Sequence, residues 1–488
     1  MSKKLPTGRP ARSKEGRPRV QGESDSPIVL RGRERRPQGE GVDRDTPPAK
    51  DTCAGRVGPG KRKPTSLQAL ANKAKADKRH RFQNLYGLID ETLLLDAWRH
   101  LNKRAASGVD CVSAQAYEKD LASHVARLVE TLKGKRYRAK LVRRHYIPKG
   151  KDKWRPLGVP AVEDKLLQTA VARILQAIYE QDFLGCSYGY RRRRGAGDAV
   201  RELTKTLQFG RYGYIVEADI AGFFDHIDHD WLLHMLQARI DDKALLGLIR
   251  KWLKAGILDT DGQVLHPETG TPQGGIVSPV LANVYLHYAL DLWFEKVVKR
   301  CCRGDAYLCR YADDYVCAFQ YQSDAKRFYS ALAKRLGKFA LTLAPDKTRV
   351  IAFSRHRKAA KSSFEFLGFE FRWGVSRAGR DLLRRRTARK RFRVALARFT
   401  EGCKQNRHRP LRELFALVNA QLRGHYYYYG VVGNFASLKA FFYQARRILF
   451  KWLNRRGQRR SYTWDGFEAM LRYVRLELPR ITELPTRQ

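Results

Sequence analysis

Two adjacent carboxylates, Asp313 and Asp314, stand in RYADDYV at residues 310–316, between the short apolar runs AYLCR and YVCAF. Runs of this kind read as strands, and the pair predicts a tight hairpin with both acids at its tip. Neighbouring carboxylates repel, so the arrangement makes chemical sense around a divalent cation. Alone, an Asp-Asp pair is far more often a solvated turn, and the rest of a cation site must come from elsewhere in the chain. YIVEADI at 214–220 offers it. Its alternation predicts a strand on which Asp219 shares a face with Ile215 and Glu217, near the strand's end. Asp219 lies 94 residues before Asp313, a separation that neighbouring antiparallel strands readily span. Three converging carboxylates match a two-metal site, with ions about 4 Å apart.

Other elements must position these acids and whatever they act on. After Asp219, Ala221 and Gly222 permit close backbone approach, while Phe223 and Phe224 add rigid planes. Asp225, Asp228 and Asp230 suit the cap or flank of a helix beginning near Trp231. PQGG at 272–275 reads as a sharp loop, Ser278 as an N-cap and Pro279 as the first helical residue. Val280, Val284, Tyr288 and Leu292 then form a buried stripe, with Gln273 between that helix and whatever the loop faces. Upstream, residues 133–160 alternate as a basic hairpin, and Lys149 and Arg155 flank its turn. There they are placed to reach triphosphate oxygens, although pattern alone favours a basic hairpin that touches only backbone phosphates. The run SYGYRRRRGAGDAV at 187–200 contacts phosphate or is solvated. Lys347 sits where a helix gives way to a strand, and FEFLGFEF at 364–371 reads as a hairpin.

Helical spacing covers much of the remainder. Leu85, Leu88, Ile89, Leu93 and Leu94 form one apolar face. Leu121, Val125, Leu128, Val129 and Leu132 line a helix expected over 113–134, and 163–183 is expected to be helical throughout. From Arg384 onward the pattern is wholly helical, with stripes through Phe392–Phe399, Leu411–Leu422 and Leu438–Trp452 that predict a three-helix basic bundle. RGHYYYYGVVGN at 423–434 is expected to be an aromatic turn, with Tyr426 and Tyr429 in the core and Tyr427 and Tyr428 more open.

The chain has 488 residues, 43% hydrophobic, with 96 Lys and Arg against 49 Asp and Glu, a formal charge of +47. That length accommodates two to four domains, and an excess that large points to a polyanionic partner, nucleic acid first. No apolar span of about 18 residues or secretory signal appears, so no membrane partner is expected. Eight cysteines without a CxxC pair support neither a zinc ribbon nor a redox motif, and fit a reduced cytoplasmic protein. Residues 1–64, rich in Gly, Pro, Arg, Lys and Ser, are expected to be a disordered basic tail.

The ordered set IPKGKDKWRPLGVP, EADIAGFFDHIDH, TPQGGIVSP, RYADDYV, LAPDKT and FEFLGFEF resembles reverse transcriptases, and among them the bacterial group II intron-encoded reverse transcriptase/maturases. The resemblance covers residues 85–478, with the region around 423–434 similar to the maturase (X) domain that serves as polymerase thumb. Arg192 and Arg193 stand where relatives usually carry Pro and Gly, and Cys111 where Gly is usual. The resemblance implies an α/β right-hand polymerase: fingers and palm with an antiparallel palm sheet over 65–380, an all-α thumb/maturase domain over 381–478, and a short tail over 479–488. It implies an endonuclease-lacking form that does not cut the second DNA strand.

The implied activity is RNA-directed DNA polymerisation with two Mg²⁺ ions. Asp219, Asp313, Asp314 and the Ile220 carbonyl would hold the metals, with Asp219 and Asp313 bridging both. Lys149 and Arg155 would clamp the triphosphate, and Gln273 would contact the nucleotide or the template. Phe223, ahead of Phe224, would exclude a 2′-hydroxyl, and Lys347 would protonate pyrophosphate. Implied partners are group II intron RNA, a DNA target and primer, and deoxynucleoside triphosphates, in a cytoplasmic protein that is nucleoid-associated when bound to DNA. The alternative within the same resemblance is a domesticated enzyme, in phage defence or beside a CRISPR array, without an intron partner.

Overall fold

The computed structural model describes residues 66–150, 153–355, 362–376, 378–457 and 461–483. The basic tail expected over 1–64 lies outside the described residues, as do 484–488 of the short C-terminal tail.

The first helices are α1 (Ser66–Ala76), α2 (Glu91–His100), α3 (Ala114–Glu118) and α4 (Leu121–Lys133). The single helix expected over 113–134 is thus two. The backbone breaks at Asp120, which lets α3 bury Tyr117 against Trp98 while α4 separately buries Val125, Leu128, Val129 and Leu132. Next come the hairpin β1 (Val142–Gly150) and β2 (Lys153–Val159), and α5 (Val162–Tyr179), whose spine of Leu166, Leu167, Val171, Ile174, Leu175 and Ile178 is wholly buried.

The palm follows with α6 (Ala196–Phe209), β3 (Tyr214–Ala218), α7 (His229–Gln237) and α8 (Lys243–Leu253), while β4 (Ile257–Leu258) and β5 (Val264–Leu265) return to the fingers hairpin and make a sheet of order β2-β1-β4-β5. A long helix begins as α9 (Ser278–Leu286), passes through π-helical turns at His287–Asp291 and Phe294–Val298, and ends as α10 (Lys299–Cys301). The palm sheet that β3 begins is completed by β6 (Ala306–Tyr311), β7 (Asp314–Phe319) and, after α11 (Gln322–Gly337), β8 (Arg349–Ala352). Its strand order is β6-β7-β3-β8, antiparallel throughout. Val216, Ala218, Tyr315 and Cys317 join the large core under the helices, whereas Ile215, Val316 and Ala318 face a second core. Burial on both faces is why these strands read as nearly continuous apolar runs.

The second core is closed by β9 (Ser363–Phe366), β10 (Phe369–Val375) and β11 (Asp381–Thr387). Phe353, Phe364, Phe369 and Phe371 are all buried there, each worth roughly 1.5–3 kcal/mol of apolar transfer. The expectation of wholly helical structure from Arg384 is corrected: Arg384 to Thr387 finish a strand that pairs along the whole of β10. Here the sheet edge of β10 overrides the helix propensity of Arg and Leu.

The thumb is α12 (Arg389–Asn406), α13 (Leu411–Tyr429), α14 (Phe435–Leu453) and α15 (Trp464–Tyr473), four helices among the described residues where the sequence predicts three. Phe467 and Leu471 of α15 complete a core built on Phe399, Phe415, Leu422, Tyr426 and Phe441. HYYYY ends α13 instead of forming a turn; Tyr426 is buried, Tyr427 and Tyr428 are exposed, and Tyr429 is half-buried. Among the described residues no helix is long and apolar enough to cross a membrane.

Candidate active site

β6 and β7 are joined by the two residues Ala312 and Asp313, with Tyr311 and Asp314 as the closing pair. Ala312 takes a φ of 56°, a conformation that a residue with a Cβ adopts only at a cost. The turn is tight from outside as well: a Cβ on Gly189 would stand 2.3 Å from the Ala312 nitrogen, so the loop before α6 can lie against the turn only as glycine. β3 runs beside β7 with Ala218 opposite Tyr315, a register that continues to set Asp219 across from Asp314. The predicted sharing of a face by Ile215, Glu217 and Asp219 follows from the same alternation.

Beyond the strand, Ala344 N donates to Asp219 O (2.9 Å) and Ala221 N donates to Thr342 O (2.9 Å). These bonds flank the Ile220–Leu343 bridge, which turns the Ile220 carbonyl away from that partner, towards the other side of the chain.

Asp314 opens to solvent, yet the protein packed around it, and after that the charges of Asp313 and Asp219, push its carboxyl up to about 6. Lys347, at the end of the short turn Pro345–Lys347, forms an ion pair with Asp219, and that bond raises the pKa of its amine. Among the described residues no three His, Cys, Asp or Glu side chains are gathered as a ready-made metal cage. The donor chemistry nevertheless suits divalent cations: hard carboxylate oxygens repel one another at adjacent strand ends, and an ammonium group supplies Asp219 with positive charge.

The fingers hairpin sets Arg155 opposite Ile147, with its side chain exposed; Lys149 is the penultimate residue of β1. β2 also meets the PQGG loop. Gly158 N donates to Gln273 O (2.6 Å), and a Cβ on Gly274, whose φ is 118°, would stand 2.4 Å from Gly158 O. A cavity of about 300 Å³ lies between these segments, lined by Leu157, Gly158, Phe224, Pro272 and Gln273 among others. Gln273 thus lies beside β2, its carbonyl bonded to Gly158 and its residue lining the cavity.

Phe223 does not line that cavity. It is 3% exposed and packs edge-on to Tyr285 in the large core, while the half-buried Phe224 lines the cavity. The expectation that Phe223 meets the sugar is corrected on this ground: Gly222, at φ 52°, starts a tight turn that carries the first ring inward and the second outward.

Ser278 is the first helical residue and no N-cap. Its hydroxyl instead bonds the Thr271 hydroxyl (2.6 Å) and donates to Pro272 O (3.1 Å), bracing the loop. Asp228 caps α7 through Trp231 N (2.8 Å), as expected, and Asp230 pairs with Arg250.

Three residues escaped the sequence reading. Gln168 accepts from Ile276 N (2.9 Å) and holds the PQGG loop from α5. Tyr190, at φ 58°, follows the Gly189 that lies against the Ala312 turn, and its hydroxyl pKa is raised by burial and then by Asp313, with Arg155 opposing. Arg310 is fully buried in an ion pair with Asp291. A Tyr beside a Gly and an Arg heading the acidic turn were the only signals available for the last two.

A family model described as reverse transcriptase (RNA-dependent DNA polymerase) matches residues 147–371, the stretch that holds this site. The chain is 43% identical over 164 residues to the group II intron-encoded protein LtrA of Lactococcus lactis subsp. cremoris, a match covering 33% of this chain and 27% of that protein. It is 30% identical over 339 residues to protein YkfC of Escherichia coli, covering 60% of this chain and 87% of that one. A telomerase structure from Candida albicans gives a TM-score of 0.40 at 13% identity, covering 74% of this chain and 66% of that one, and adds nothing to the assignment. With the carboxylates, the palm topology and these relatives together, the chain belongs to the reverse transcriptase family.

Proposed function

We propose that this chain extends a primer with deoxynucleoside triphosphates along an RNA template, at the end of the palm sheet where β3 meets the β6–β7 turn. The observation that carries this reading is the register that sets Asp219 across from Asp314, beside Asp313, with Asp314 pushed up to about 6. Asp219, Asp313, Asp314 and the Ile220 carbonyl would hold two Mg²⁺ ions. When bound, such ions activate the primer 3′-hydroxyl and offset the charge of the leaving pyrophosphate.

The protein's own groups do the rest. Lys149 and Arg155 hold the triphosphate from the fingers, and Gln273 contacts the nucleotide or its template base. Phe224, the ring that lines the cavity, lies against the sugar and excludes a 2′-hydroxyl. Lys347 would be released from Asp219 where a cation held that carboxylate. Its amine, which the ion pair keeps protonated, then has a proton to give to pyrophosphate.

In this reading the same chain is a maturase that binds a group II intron RNA. The likeness to LtrA and the formal charge of +47 support it, since a basic surface recognises structured RNA through phosphates and shape. Primer extension on a primed RNA template with Mg²⁺ tests the polymerase, and Asp313→Ala is expected to reduce extension to background. No extension by the parent protein would sink the reading. The maturase role predicts that Asp313→Ala still promotes splicing of the intron RNA whose domains flank the gene. Flanking DNA without such domains would favour a domesticated enzyme in phage defence or beside a CRISPR array.

A further inference from the structure

Arg310 heads the catalytic turn, and its guanidinium is enclosed without exposure to solvent. Nε donates to Asp291 Oδ1 (2.7 Å) and Nη2 to Asp291 Oδ2 (2.5 Å), a bidentate pair with both side chains at 0% exposure. Nη1 donates to Asn283 Oδ1 (3.0 Å) and to the carbonyl of Ala312 (3.0 Å). The Asn283 amide, oriented by that contact, donates from Nδ2 to Gly189 O (2.7 Å). The Arg310 backbone joins the same loop, since Tyr188 N donates to Arg310 O (2.9 Å) and Arg310 N to Cys186 O (2.8 Å).

Two features indicate that the network is built for placement. The first is helical winding. Asn283 and Asp291 are eight residues apart on one helix, and an unbroken α-helix would turn them about 80° away from each other. The wider π turn at His287–Asp291 takes up that drift, so both side chains reach one guanidinium. The second is economy. A fully buried ion pair is a poor way to gain stability, because an apolar pair of similar volume commonly does as well or better. An apolar pair, however, offers nothing to the Ala312 carbonyl or to the Asn283 amide. Those two contacts hold the turn that presents Asp313 and the loop that presents Tyr190.

We propose that Arg310 is a positioning residue for polymerisation: through Ala312 O and Asn283 it fixes the catalytic turn against the Gly189–Tyr190 backbone and so sets where Asp313 and Asp314 stand. The proposal rests on the reading of Asp313 and Asp314 as catalytic.

The test uses the full chain. Primer extension gives kcat and the KM for nucleotide, electron paramagnetic resonance gives Mn²⁺ affinity, and thermal unfolding reports the fold. Arg310→Lys, Asn283→Ala and the apolar pair Arg310→Met with Asp291→Leu are compared with Asp313→Ala. The apolar pair is expected to keep its melting midpoint within a few degrees of the parent while kcat falls 30-fold or more. Its Mn²⁺ affinity is expected to weaken at least fivefold, with the nucleotide KM moving less than kcat. Asn283→Ala, which leaves the ion pair intact, is expected to stay folded and lose at least fivefold in kcat.

Folded variants with kcat and Mn²⁺ affinity within twofold of the parent, beside an inactive Asp313→Ala, would overturn the proposal. Loss of the fold in every network variant would show a scaffold for the palm and overturn it too. An active Asp313→Ala would instead overturn the underlying catalytic reading.

Discussion

Phe223 and Phe224 are adjacent identical rings with opposite fates. Phe223, 3% exposed, is held by Tyr285 in the large core, whereas Phe224 lines the cavity beside Gln273. Replacing a buried Phe with Ala typically removes about 3–5 kcal/mol, from lost transfer energy and the cavity left behind. Phe223→Ala is therefore expected to lower the melting midpoint markedly with little effect on sugar discrimination. Phe224→Ala should stay close to the parent in stability and raise incorporation of ribonucleotides over deoxyribonucleotides at least tenfold. Single-nucleotide incorporation with each sugar, run beside thermal unfolding, checks both. A discrimination change at Phe223→Ala alone would reverse the assignment.

AGFF could not separate the two rings, because which one turns inward depends on the tight turn that starts at Gly222. The carboxylates were legible for the opposite reason: alternation in YIVEADI and the hairpin pattern around Asp313 fix both faces locally, and only the register that sets Asp219 opposite Asp314 needed the folded sheet.

At the scale of elements, local pattern succeeded where one chain segment decides the outcome and failed where a partner does. The strands β3, β6 and β7 are apolar runs that could hardly be anything else. β11 is rich in Arg and Leu, looks helical by composition, and becomes a strand because β10 pairs with it along its full length. The short turns carry a further consequence. Cys111 and Arg193, where the resemblance implies Gly, have φ values of 54° and 60°. Each is an exposed L-residue in left-handed backbone, a strain of roughly 1–2 kcal/mol. Glycine removes that strain but adds about 0.4–1 kcal/mol of freedom to the unfolded chain. Strain relief is the larger effect, so Cys111→Gly and Arg193→Gly are each expected to stabilise by about 0.5–1 kcal/mol. Denaturant unfolding of the two variants measures it, and a loss of stability in both would contradict the reading.

For the molecule as a whole, pH tests how the two largest helical regions share their buried charges. His287 in the palm helix is held down to about 4 by burial, with Arg310 and Arg191 adding to the shift and Asp291 opposing it. His425 in the thumb, stacked on Phe441 at 3.8 Å, is held down to about 4 by burial. Nδ1 of the first and Nε2 of the second have no hydrogen-bond partner, so a proton there would be a buried, unanswered charge. A depressed histidine pKa contributes stability that is present above the ordinary value of 6.5 and is lost as pH falls towards 4. Below 6.5 each histidine gives up about 1.4 kcal/mol per pH unit.

Asp164 works in the other direction. Burial raises its carboxyl to about 6 despite the Tyr137 hydroxyl (2.6 Å), so the folded state regains about 1.4 kcal/mol per unit as pH falls from 6 towards the ordinary 3.8. Asp314, also raised to about 6, offsets the histidines in the same direction as Asp164, though less strongly because it opens to solvent, so stability should fall between pH 6.5 and 6 and more shallowly from pH 6 to 5. Thermal unfolding at pH 7.5, 6 and 5 measures this slope. Asp164→Asn should steepen it by removing the opposing group, and His425→Phe should flatten it by removing one of the two that drive it. A melting midpoint that rises from pH 6.5 to pH 5 would mean that the histidines are already protonated within the fold, and that the palm and thumb cores admit charge where the packing around His287 and His425 says they should not.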